Sequence, residues 1–462
     1  MGSAQGKLTF LPRLTPIFVI TALIEKPMKN LLGLIFLSVV LLGLGSCGLI
    51  KGKNKKGSGL PDDGQLHGVA PSARASMGKP RGMVYVPPGT FHMGPSDEDV
   101  NYNYSARNRQ VSIPGFWMDA TEITNNDYRQ FVKWVRDSLA AKELGYYKSA
   151  PGALGAGDSS IAIDWVKANT IKYDASNLEK LGNKLILAPD NRLYGKADID
   201  PNKLLYRMEV FVLSEAAKRE NAGMARANFI VRTSEKIYPD TLVWMRDFSY
   251  SYNEPMTKQY FAHPSFGNYP VVGVNWKQAN AFCNWRTHIQ NAFLEKRNMA
   301  VESDYRLPSE GQWEYAARGG RTGSPFPWGG PYIRNKKGCL LANFKPGRGN
   351  YAEDGGFYTV RADAYWPNDY GLYNMAGNVA EWTSSYFNEG AYNFISDMSP
   401  DLRYDAKDSD APLMKRKVVR GGSWKDVGFF LQTSTRTFEY QDTAKSYIGF
   451  RCVIDLAPKM KK

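Results

Sequence analysis

Gly371–Thr383, GLYNMAGNVAEWT, gathers the oxygen donors that a hard cation asks for. Gly371 and Gly377 let the backbone turn tightly and bring carbonyls towards one point. Asn374 and Glu381 add an amide and a carboxylate oxygen, a mixture that suits Ca2+. A single carboxylate makes a weak site, so on chemistry alone a plainer reading leads: a turn followed by a strand, with Trp382 in the core.

Other reactive groups are sparse. The four histidines show no metal-binding spacing, and there is no Ser-His-Asp order or phosphate-binding loop. The cysteines are Cys47, Cys283, Cys339 and Cys452. Cys283 on a helix face and Cys452 in a strand read as buried packing residues. In an oxidising compartment a Cys283–Cys339 or a Cys339–Cys452 disulfide stays open, and either leaves one thiol unpaired.

The elements that must position these groups are short. The 462 residues hold 43 Gly, 26 Pro, 11 Trp and 27 Tyr, a balance of turns and large rings that favours a loop-rich α+β or all-β domain over a helical bundle. Met83–Gly94 reads as a strand, a Pro-Pro-Gly turn and a second strand, and Val111–Asp119 as another strand. Thr121–Asp137 reads as a helix capped by Thr124 and Asp127, with Tyr128, Phe131, Val132, Trp134 and Val135 on its apolar side. Ser138–Asn268 fits no compact pattern and reads as an insertion on the domain surface. Val271–Val274 is expected as a short strand, and Trp276–Arg286 as a helix with Ala279, Phe282, Cys283 and Arg286 on one face. Ser309 and Gln312 form a capping box for a helix containing Trp313 and Ala316.

The amino end is an address. Met28-Lys29-Asn30 precedes the apolar run Leu31–Leu44, which is of signal-peptide length and too short to span a membrane. The run ends in Leu44-Gly45-Ser46-Cys47, which looks like a lipobox, with Cys47 carrying the lipid. Residues 1–46 are therefore leader and signal, with Met28 the expected true start. Residues 47–81 form a Gly- and Lys-rich tether, residues 82–455 the folded domain, and residues 456–462 a basic tail. The tether lacks an acidic cluster next to Cys47, which favours the periplasmic face of the outer membrane. The chain carries +14, and from Cys47 onwards 55 basic residues face 44 acidic ones. That excess suits an anionic neighbour. No nucleic-acid-binding motif accompanies it, so nucleic acid is not an expected partner.

Six blocks in order resemble the formylglycine-generating-enzyme (FGE-sulfatase) family: MVYVPPGTFHMG, PVVGVNW, RLPSEGQWEYAARGG, PNDYGLYNMAGNVAEW, RGGSW and GFR. They run from Met83 to Val453, interrupted by the insertion at 138–268. The resemblance implies an α+β fold of low regularity, related to C-type lectins and often holding two Ca2+ ions. One ion would sit on Asn343, the Phe344 carbonyl, Asp354 and the Gly356 carbonyl. The other would use Asn374, the Gly377 and Val379 carbonyls, and Glu381. In the family's oxidase two cysteines after RGGSW handle copper and the substrate thiol. The positions two and seven residues past Trp424 here hold Asp426 and Leu431. Cu(I) needs soft thiolates, so neither copper nor oxidase chemistry is expected.

The lipobox, the tether and the missing cysteines together resemble the GldK/PorK-type lipoproteins of type IX secretion and gliding motility in Bacteroidota. That resemblance implies a non-catalytic outer-membrane lipoprotein facing the periplasm. It implies self-association in a ring with a GldN/PorN-type periplasmic partner and other secretion components. The related GldJ-type lipoprotein is a sibling. A divergent FGE-like enzyme and a lectin-like binder of glycan or peptide, using exposed rings such as Trp366 or Tyr386, are the alternatives.

Overall fold

The computed structural model describes residues 78–95, 107–149, 161–250 and 254–456. Cys47, the leader, the tether and the tail beyond residue 456 lie outside the described residues. The architecture is α+β, with small sheets joined by long irregular segments. None of the described helices is long and apolar enough to cross a membrane.

Strands β1 (Met83–Val86), β2 (Gly89–Met93), β3 (Arg109–Ile113) and β4 (Phe116–Asp119) open the domain. The single strand expected over Val111–Asp119 is thus two, because Pro114 has no amide to continue a ladder. β2 pairs with β3, while β1 pairs with β4. Helix α1 (Asn125–Glu143) follows, capped by Thr124 with a reciprocal bond from Asp127. It outruns the expected end by six residues, into the start of the segment read as an insertion.

The insertion carries β5 (Tyr147–Ser149), β6 (Ile161–Ile163), α2 (Ala175–Leu185), β7 (Leu205–Phe211) and β8 (Ile230–Lys236). It is only partly a surface feature. Leu204, Tyr206, Ile237 and Phe261 join the main core beside Tyr128, Phe131 and Phe282. Tyr128 stacks on Phe282 with centroids 5.6 Å apart, and its hydroxyl donates to the Ile237 carbonyl.

Val271–Val274 is buried but is not a strand. Gly273 has φ +73°, and a Cβ there would overlap the Asp240 carbonyl oxygen. The backbone bends to receive the insertion, and the Asp240 amide donates to the Gly273 carbonyl. Helix α3 (Trp276–Lys296) starts on an Asn275–Gln278 capping box and buries Ala279, Phe282 and Cys283. β9 (Tyr305–Arg306) leads into helix α4 (Glu310–Arg318), whose Ser309–Gln312 box is formed and whose every residue is buried.

The remaining strands are β10 (Ala380–Tyr386), β11 (Arg416–Arg420), β12 (Thr437–Tyr440), β13 (Ile448–Gly449) and β14 (Val453–Asp455). One sheet runs β1-β4-β14-β9 and another β12-β11-β10-β13. The register of the second sets Glu381 opposite Arg420.

Burial of α4 requires its charges to be matched. Arg420 donates to Glu310 and Glu314 at 2.7 and 2.9 Å, Arg318 reaches Glu314 at 2.7 Å, and Arg436 reaches Glu310 at 2.5 Å. The helix is thereby tied to β11 and to the segment before β12.

Cys283 and Cys452 lie side by side, sulfur to sulfur 3.5 Å, while Cys339 is exposed. Neither pairing that the sequence left open is the one the fold favours. α3 and the approach to β14 bring the two buried thiols together, and Cys339 sits on an outer loop.

Candidate functional site

The loop Gly371–Val379 forms a polar hub. Asn374 and Asn378 have φ +49° and +63°, a left-handed backbone that asparagine tolerates. Gly377 also has positive φ, and a Cβ there would overlap the Asn343 carbonyl oxygen. With no side chain in the way, the Asn378 amide donates to that carbonyl at 2.8 Å, and the Gly377 amide donates to Gly421 at 2.9 Å. The Asn378 carbonyl accepts from the Trp424 amide. The loop therefore joins the Asn343 segment to the RGGSW turn.

Two residues the sequence reading did not single out complete the hub. Glu122 is buried and accepts from Asn374 Nδ2 at 3.2 Å and Asn378 Nδ2 at 3.0 Å. Burial pushes its carboxyl up to about 8, against the pull of Arg451. Arg451, also buried, grips Glu381 with Nε at 2.7 Å and Nη2 at 2.6 Å. Its other hydrogens go to the Asp119, Ala120 and Tyr373 carbonyls. The Trp313 indole donates to Glu381 at 2.7 Å. Glu122 stands just ahead of the Thr124 cap, and Arg451 sits within GFR. A base embedded in the otherwise apolar GFRCV was the available signal for Arg451, while Glu122 among polar neighbours left none.

The structure divides the two expected cation positions. At the first, Asp354 accepts from the Phe344 and Gly356 amides at 2.7 and 3.1 Å, and burial raises its carboxyl above the usual range. Asn343 Oδ1 is buried without a hydrogen-bond partner and faces Gly356. An orphaned buried amide oxygen suits a hard cation, and Gly356, which it faces, donates its amide to Asp354. At the second, Asn374 turns its amide nitrogen to Glu122, Gly377 and Val379 shape the turn, and Glu381 is matched by Arg451. A guanidinium charge there opposes a second cation, so these residues do not fit one as they stand. No cluster of three or more His, Cys, Asp or Glu able to hold a metal occurs among the described residues.

The positions past RGGSW are equally plain. Asp426 accepts from the Ser423 hydroxyl at 2.6 Å, and its carbonyl accepts from the Lys345 amide. Leu431 is fully buried among Phe326, Leu340, Ala342, Phe344 and Ala376. Beside them the insertion stacks Trp244 on Trp424, centroids 5.8 Å apart at 19°, and Phe248 packs on the same ring at 5.0 Å. Asp247 fastens that contact by accepting from the Ser446 amide and hydroxyl. The void left between Trp244, Met256, Tyr260 and Val272 is about 10 Å³, room for roughly one water. Of the rings considered for an open surface, Trp366 is 86% exposed and Tyr386 is packed.

The sequence profile of the FGE-sulfatase family, described as a Sulfatase-modifying factor enzyme 1-like domain, matches residues 69–456. The chain belongs to the FGE-sulfatase family. Formylglycine-generating enzyme of Mus musculus is 27% identical over 384 residues, which covers 81% of this chain and 76% of that protein. Inactive C-alpha-formylglycine-generating enzyme 2 of Bos taurus is 27% identical over 376 residues, 80% of this chain and 87% of that protein. Among solved structures, PvdO from Pseudomonas aeruginosa aligns at a TM-score of 0.43 and 19% identity, over 81% of this chain and 94% of that one. This FGE-sulfatase chain is thus similar to active and inactive proteins alike.

Proposed function

We propose that this FGE-sulfatase chain is a non-catalytic lipoprotein of the type IX secretion and gliding-motility machinery, of GldK/PorK type. Its lipid on Cys47 holds it at the periplasmic face of the outer membrane, where it joins a ring with a GldN/PorN-type partner. The observation that carries the reading is the pair Asp426 and Leu431. One is a hard carboxylate already bonded to Ser423, and the other is a hydrocarbon side chain inside the core. Neither supplies the soft sulfur that thiol oxidation with copper requires. The aromatic seal of Trp244 and Phe248 over Trp424 supports it further. Ca2+ held by Asn343 and Asp354, with the Phe344 and Gly356 carbonyls, enters the proposal as a structural ion.

Capture of the tagged full chain from detergent-solubilised membranes tests the assembly. The expected product is a complex far larger than the 51.8 kDa chain, containing a GldN/PorN-type protein. Recovery of the chain alone, under conditions that keep other membrane complexes intact, contradicts the reading.

A further inference from the structure

The ribbon β7–β8 is a two-stranded sheet of seven residue pairs, and among the described residues β7 has no partner strand besides β8. Its side chains are largely in solvent: Leu205, Val210 and Phe211 are among the exposed apolar residues, and the Arg207 and Glu209 side chains are 67% and 50% exposed, with Glu209 ion-paired inside the chain to Arg232 at 3.1 Å and to Arg207 at 3.4 Å. Arg226 lies over the Phe211 ring at the far end. An open edge of this length is a template for another strand.

The ladder fixes which groups face outwards. Ile237 donates to Leu204 at one end and Val212 donates to Phe229 at the other. Antiparallel alternation then turns the amides and carbonyls of Leu205, Arg207, Glu209 and Phe211 away from β8. A strand laid antiparallel on that edge must pair with these four residues.

The sequence LYRMEVF is complementary to itself when reversed about Met208. Leu205 meets Phe211, Tyr206 meets Val210, and Arg207 meets Glu209. Shifting the centre to residue 207 sets Arg207 against its own copy, and shifting it to 209 does the same for Glu209. Like charges directly opposite are destabilising and opposite charges favourable, so the centre at Met208 is favoured over those at 207 and 209, and it pairs all four outward-facing residues, which centres further out do not. We propose that two copies of this chain associate through β7, antiparallel about Met208, forming a continuous four-stranded sheet β8-β7-β7-β8 with two-fold symmetry. Four outward-facing residues on each strand make about eight new backbone hydrogen bonds, and each Arg207 faces the Glu209 of the other copy. The pairing does not depend on the absence of catalysis, so it stands or falls apart from the proposed function.

Charge exchange tests it. The mass of the purified full chain in mild detergent is measured by light scattering at low salt. Wild type is expected as a dimer. Glu209→Lys and Arg207→Glu, each alone, place like charges opposite and weaken dimerisation by at least about tenfold. Mixed together, the two variants restore opposite pairs at both positions and form the mixed dimer. Unchanged circular dichroism confirms that these exposed substitutions leave the fold intact. A monomeric wild type, variants that dimerise as well as wild type, or a mixture that stays monomeric would each overturn the proposal.

Discussion

Replacing Arg451 by Met is expected to cost about 3–5 kcal/mol of stability, because it strands the Glu381 carboxylate in a place water does not reach. Arg451 also satisfies three backbone carbonyls, at Asp119, Ala120 and Tyr373. Each becomes a buried acceptor short of a partner, at a further cost of about 1–3 kcal/mol if water cannot follow. Glu381→Gln does comparable damage from the other side by leaving a buried guanidinium unmatched. The double variant Glu381→Gln/Arg451→Met removes both charges, so its loss should fall clearly below the sum of the single losses. Urea unfolding of the four proteins measures this. Additive losses would show that the pair does not act as a unit.

The second large effect depends on pH. Glu122 titrates at about 8 in the folded chain against an ordinary 4.5, because burial disfavours its charged form. A carboxyl whose folded value is raised stabilises the fold below the ordinary value and loses that contribution as pH rises. The window therefore runs from about 4.5 to about 8, and at about 1.4 kcal/mol per unit the loss approaches about 5 kcal/mol. Glu122→Gln cannot ionise. It gives up one of the two bonds from Asn374 and Asn378, a cost of about 1 kcal/mol at every pH. The variant should thus be the less stable protein at pH 5 and the more stable one at pH 8. Melting curves that keep the same order at both values contradict this. The same melts with Ca2+ or chelator, repeated on Asp354→Asn, address the first cation position. Ca2+ should raise the wild-type melting temperature and leave that of the variant unmoved. An equal response in both excludes Asp354 as a ligand.

What could be read from the sequence was local. The Thr124–Asp127 and Ser309–Gln312 caps announce their helices within four residues, and both are formed. Gly371 and Gly377 were visible as a turn because their preferred backbone differs from that of other residues, and both have positive φ. The partners of these groups were not visible. Glu381 is bonded to Arg451, 70 positions away, and Asn374 to Glu122, 252 positions away, and neither spacing leaves a periodic trace. Val271–Val274 has the composition of a strand, but the close approach of Asp240 to Gly273 bends it. The insertion reads as polar surface, yet Trp244 and Phe248 reach Trp424. Long-range burial decided these cases over local propensity.

The proposed lack of thiol oxidation rests on Asp426 and Leu431 standing where soft sulfur would be needed. Its most direct measurement is the mass of a cysteine-containing peptide after incubation with the purified full chain, copper and oxygen. The peptide is expected to emerge with its thiol unchanged. A mass loss matching conversion of that cysteine to formylglycine, dependent on the chain, would contradict it.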